Sequence, residues 1–190
     1  MKLILVSTLI AVSAASAGCF DRQERPVGET PQLPTTPVPS QESFDVELYE
    51  SADGALRYRI RAAYMGRYET ADSSFVLLAK RTPEDAPVRA ELFGSNPDST
   101  TTIDAAEIRF FETDHRFEAR GNVVVLTSTG RRLETEFLVW REDDRRVNAP
   151  GFVRIISSTE DMQGYGFDSD EQLNSFSLQR VTGRYYLEEE

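Results

Sequence analysis

The chain has 190 residues, room for one ordinary domain plus leader segments. Its net charge of −11 excludes the basic footprint that nucleic-acid binding needs. A single histidine, His115, and a single cysteine, Cys19, exclude a multi-histidine metal site and an internal disulfide. Residues 1–18 read as a signal peptide of lipoprotein type. Lys2 gives the positive start, Leu3 to Ala15 is an apolar run too short to span a bilayer comfortably, and small residues precede Cys19. That cysteine is the expected lipidation site, because small residues before a lone cysteine resemble the bacterial lipobox; Ser16, in place of the usual branched residue, leaves ordinary cleavage after Ala17 as the alternative. Residues 19–43 form a linker: Pro26, Pro31, Pro34, Pro37 and Pro39 lie among Thr, Gln, Glu and Ser, a composition that cannot bury enough apolar surface to fold. At ~3.1 Å per residue such a lead spans ~70 Å.

From residue 44 to 187 the pattern is alternation, and it predicts roughly ten to thirteen strands and little helix. Val46 and Leu48, then Leu56, Tyr58 and Ile60, flank the Asp53-Gly54 hairpin signal. Tyr64–Tyr68, Phe75–Leu78 and Val88–Phe93 follow as strands, and Asn96–Ser99 reads as a turn. Between Glu107 and Ile155 the chain repeats itself at a spacing of thirty residues. Ile108 matches Leu138, Phe110 matches Trp140, Phe117 matches Val147, Ala119 matches Ala149, Gly121 matches Gly151, Val123 matches Val153 and Val125 matches Ile155. A fixed period of this kind marks stacked supersecondary units, none able to bury its apolar face alone. Period two places Phe117, Ala119, Gly121, Val123 and Val125 on one face, and Glu118, Arg120 and Asn122 on the other. A last strand pair runs through Tyr165–Phe167 and Phe176–Val181, and an acidic tail closes the chain at 188–190. The recurrent apolar face fits either an ordinary sandwich core or a groove for something long and greasy.

Little here suggests catalysis. His115 beside Asp114 lies on a turn tip with no nucleophile placed near it, and Glu142-Asp143-Asp144 lacks the spacing and glycine of a calcium loop. Arg116, Arg120, Arg145, Arg146 and Arg154 read as surface residues, with contact to lipid phosphates as the alternative. No Gly-rich phosphate loop, nucleophile elbow or HExxH motif is present. The sequence predicts no catalytic residues, no metal and no cofactor.

Tyr58-Arg59-Ile60-Arg61-Ala62, Phe117-Glu118-Ala119-Arg120-Gly121-Asn122-Val123-Val124-Val125, Leu133 to Trp140, Phe152 to Ile155 and Gly164 to Asp170 together resemble the LptC family over about residues 44–183. The lipobox in place of a transmembrane helix is similar to the Bacteroidetes-type variant of that family. The resemblance implies an all-β, twisted, partly open jellyroll. It also implies a periplasmic bridge protein that takes lipopolysaccharide from an inner-membrane LptBFG-type ABC transporter and passes it to an LptA-type bridge protein. The expected location is the periplasmic face of the inner membrane, held by a lipid anchor. The N-terminal edge near Val46 to Leu48 would meet the transporter and the C-terminal edge near Phe176 to Val181 the next protein, by β-augmentation. Ile108, Phe110, Phe117, Ala119, Val123, Val125, Leu138, Trp140, Val147, Val153 and Ile155 are the expected groove residues. The competing reading is a lipid-anchored β sandwich that recognises a protein or glycan without lipid transfer.

Overall fold

Alternating branched and aromatic residues, punctuated by left-handed turn positions, build eleven strands in the computed structural model, which describes residues 37–70, 73–94 and 99–186. They are β1 (Gln41–Ala52), β2 (Ala55–Glu69), β3 (Ser74–Ala79), β4 (Val88–Phe93), β5 (Thr100–Ala105), β6 (Glu107–Phe111), β7 (Arg116–Thr127), β8 (Arg132–Arg141), β9 (Arg146–Ile156), β10 (Glu160–Asp170) and β11 (Phe176–Tyr185). The strand pairings are antiparallel throughout. The first strand begins at Gln41. The expected signal peptide, Cys19, most of the expected linker, the tip of the Asn96 turn and the acidic tail lie outside the described residues.

Local chemistry sets the turns. Asp53 and Gly54 both take positive φ, 53° and 80°, the type I′ geometry whose twist matches a hairpin. His115 and Arg145, thirty residues apart, close the β6–β7 and β8–β9 hairpins in the same left-handed conformation, φ 43° and 53°. The sequence repeat is therefore a pair of consecutive hairpins with matching tips.

Topology makes the layers. β7 uses one edge for β8 and divides the other between β6 (Arg116 to Arg120) and β5 (Val124 to Thr127). β2 does likewise, with β1 on one side and β4 and β3 sharing the other. Between β2 and β7 the sheet thus splits into a β4–β5 branch and a β3–β6 branch. Two branches joining the same two strands cannot share a plane, so they form two layers, and β7 to β10 pass from one to the other by bending. The register breaks mark the bend. β7 and β9 turn it with three residues out of the core, Arg120 to Asn122 and Pro150 to Phe152; β8 and β10 use two, Glu136-Phe137 and Tyr165-Gly166. This is the partly open jellyroll expected from the resemblance.

The bend changes which positions point inward. Simple alternation puts Gly121 and Gly151 on the inner face, whereas both lie on the bend, Gly121 half-buried and Gly151 exposed. On β8 the inward parity switches, so Leu133 and Thr135 as well as Leu138 and Trp140 face the core. One continuous core results, drawn from β2 to β10 and the loop after β10.

Three substitutions test this frame by urea denaturation. Leu138→Ala, at a 1% exposed site, should cost about 2–5 kcal/mol. Gly121→Ala meets φ +78° and the Ala106 side chain at 2.9 Å, and should cost about 1–3 kcal/mol. Its repeat counterpart Gly151→Ala has open space at an ordinary φ and should change stability by less than about 0.5 kcal/mol.

Candidate functional site

The two layers enclose an apolar interior that runs from β1 toward β11. Ile108, Phe117, Ala119, Val123, Val125, Leu138, Trp140, Val147, Val153 and Ile155 all belong to it and are at most 5% exposed; Phe110 is half-buried against it. All eleven expected groove residues are therefore brought together on the inner face. Val123, Val125, Val147, Val153 and Ile155 are at most 1% exposed, so this stretch is closed to solvent. At its two ends the cover thins: Val46 and Leu48 of β1, and Phe176 and Leu178 of β11, are only partly buried against the core.

The opening lies at the β1 end. A cavity of about 320 Å³ enters between β1, β3 and β6, walled by Leu48, Met65, Val76, Leu78, Phe110 and Phe117. Gln41, Glu50, Arg67 and Glu112 give it a polar rim. Tyr58 also lines it and donates a 2.6 Å hydrogen bond to Glu50; burial, then that carboxylate, push the phenol far above its ordinary range. From this mouth a line of rings leads inward. Phe110 stacks on Phe117 at 4.4 Å, Phe117 stacks on Trp140 at 4.7 Å, and Tyr58 meets both Phe117 and Trp140 edge-on. A larger cleft, about 530 Å³, lies on the outer side of the bend among Val124, Phe137, Phe152 and flanking charged residues, on the opposite side of the sheet from the interior.

The charged candidates resolve differently from their sequence context. His115 Nδ1 meets Asp143 at 3.0 Å rather than Asp114. The hydrogen bond and charge of Asp143 raise its pKa above 6.5. The arginines are engaged by carboxylates: Arg116 with Asp114 and Glu118, Arg120 with Glu118, Arg145 with Glu171, Arg146 with Asp168, Arg154 with Asp161. Among the described residues no group of His, Cys, Asp or Glu has the arrangement of a metal site, and no helix is long and apolar enough to cross a membrane.

An all-β antiparallel jellyroll is the fold expected from the resemblance. A model of lipopolysaccharide-assembly, LptC-related proteins matches residues 4–186. The chain belongs to the LptC family. No curated protein matches it. Membership in the LptC family gives the chain a role in lipopolysaccharide transport, within the envelope system that performs it, and the family is one of transport components rather than enzymes.

Sequence reasoning missed two parts of this LptC-like interior. Leu133 is fully buried but escapes because the parity switch hides it. Glu171 and Leu173 follow β10 in the polar run Asp170-Glu171-Gln172-Leu173-Asn174-Ser175, and both are buried. A lone leucine in an otherwise polar loop was the only signal.

His115 supplies a clean test, since the chain has no other histidine. With the folded pKa above the unfolded one, its contribution to stability is complete below about 6.5 and is lost as pH rises through the folded value. NMR titration should give a pKa above 6.5, and Asp143→Asn should return it toward that value.

Proposed function

We propose that the chain is a periplasmic bridge component that accepts lipopolysaccharide from an inner-membrane LptBFG-type transporter and hands it to an LptA-type protein. The apolar mouth beside β1, continuous with the buried inner face, carries this reading. Acyl chains enter past Leu48 and Phe110, follow the inner face along Phe117 and Trp140 toward Val153 and Ile155, and leave beside Phe176 and Leu178. The sugars stay in solvent. Exposing a chain of about a dozen methylenes to water costs ~10 kcal/mol at ~0.8 kcal/mol per CH₂, so a continuous apolar path lowers the barrier at every step. The outer edges of β1 and β11 carry no pairing partner among the described residues, which suits β-augmentation by a protein on each side. Cys19 provides the membrane anchor on the inner membrane, and the proline-rich lead gives the domain reach.

The complete burial of Val123 and Val153 favours a second reading, a fixed sandwich that binds a protein or glycan through its edges and loops without carrying lipid. Photocrosslinking in cells separates the two. A photoreactive side chain at Leu48, Phe110 or Val153 should capture lipopolysaccharide, with stronger capture at the mouth than at Val153. Capture at none of the three, with export intact, would reject lipid carriage. Separately, labelled palmitate should be incorporated into the chain and lost with Cys19→Ala; persistence of the label would remove the anchor assignment.

A further inference from the structure

We infer that the hairpin loop between β10 and β11, residues 171–175, is a strap that holds the two layers shut along the side opposite the bend, and that lifting it opens the interior sideways. The loop starts from the layer that contains Trp140 and Arg145 and reaches the other layer. On its own side, the buried Glu171 carboxylate accepts hydrogen bonds from Trp140 Nε1 at 2.9 Å and Arg145 Nε at 2.7 Å. On the far side, the Thr101 hydroxyl of β5 donates to the Glu171 carbonyl at 2.9 Å, and the Arg131 guanidinium of the β7–β8 turn donates to the Leu173 carbonyl. Five residues thus tie lip to lip. Leu173 is fully buried in the core yet holds φ at +56°, a conformation leucine rarely adopts. Packing between the layers keeps it there.

The loop is also shaped to move as a unit. Asp170 accepts from the backbone N–H groups of Gln172, Asn174 and Ser175, so the turn keeps its form without the interior. Its attachments are few and individually breakable: one apolar side chain, one carboxylate and two carbonyls. The ring stack from the mouth ends on it, because Trp140 is both the last ring of the line and a donor to Glu171. A chain pressing inward from the β1 end would disturb Trp140 and, through it, the strap. Leu173 occupies space that an acyl chain would fill. The identity of that occupant rests on the lipid-carriage reading; the strap itself does not.

Two substitutions release it. Leu173→Gly removes the buried side chain at a φ that glycine accepts readily, and Glu171→Gln keeps the size but removes the charge that holds Arg145. The test uses the full chain carrying Cys19→Ser, with spin labels at Ser128→Cys and Arg141→Cys on the two lips. Pulsed dipolar spectroscopy reads their separation, and Trp140, the only tryptophan, reads the strap. In the parent, one narrow distance and a blue, poorly quenched emission are expected. In both variants the distribution should broaden to longer distances, the emission shift to the red and acrylamide quenching rise severalfold. Purified lipid A should widen the parent distribution too. Unchanged distance and emission in the variants overturns the strap, even where lipid A captured at Val153 upholds carriage. Lips that part in the variants, with no response to lipid A, uphold the strap and count against carriage. If Leu173→Gly does not fold, Glu171→Gln decides by the same two readouts.

Discussion

Everything in this fold follows from one constraint: a single sheet has one apolar face and must bury it against itself. The described residues contain no helix to cover it. The strands therefore bend, and the bend must keep apolar residues inward on both sides. The chain solves this by alternation. β7 and β9 carry one more residue around the bend than β8 and β10, so neighbouring antiparallel strands turn the corner on different radii while their inner rows stay aligned. On β7 the corner runs through Gly121 and Asn122, both at positive φ, 78° and 49°.

The same constraint links stability to transport. Side chains that face an empty groove would lie in water, and at roughly 25 cal/mol per Å² that exposure is expensive for a small domain with marginal stability. The interior closes on itself instead. Any cargo must then replace contacts that the side chains already make with one another, so binding is an exchange of apolar partners rather than entry into a void. Weak occupancy at each position follows, which suits a conduit. Under the proposed lipid carriage, the exchange would start where cover is thin, at the half-buried Leu48, Met65 and Phe110.

Much of this was legible in the residues. The thirty-residue period became two hairpins whose tips share a left-handed residue, and the resemblance gave the jellyroll before any register was known. What escaped was non-local. The inward parity of β8 depends on a bulge set by its neighbours, so Leu133 could not be assigned from alternation alone. Leu173 is buried only because a loop folds across to β5 and the β7–β8 turn, contacts 70 and 42 residues away in sequence. Hydrophobic patterning reports the face of a regular strand; it is silent about a hairpin loop that folds into the core.

Lipid carriage by this fold requires that acyl chains can take the place of inner-face contacts. The most direct measurement is a set of intermolecular NOEs between the methylenes of bound lipid A and methyl-labelled, otherwise deuterated full-length chain. Contacts are expected to Val76 and Leu78 at the mouth and to Val125, Val153 and Ile155 inside. Contacts confined to the outer cleft at Val124, with the inner methyls untouched, would contradict it.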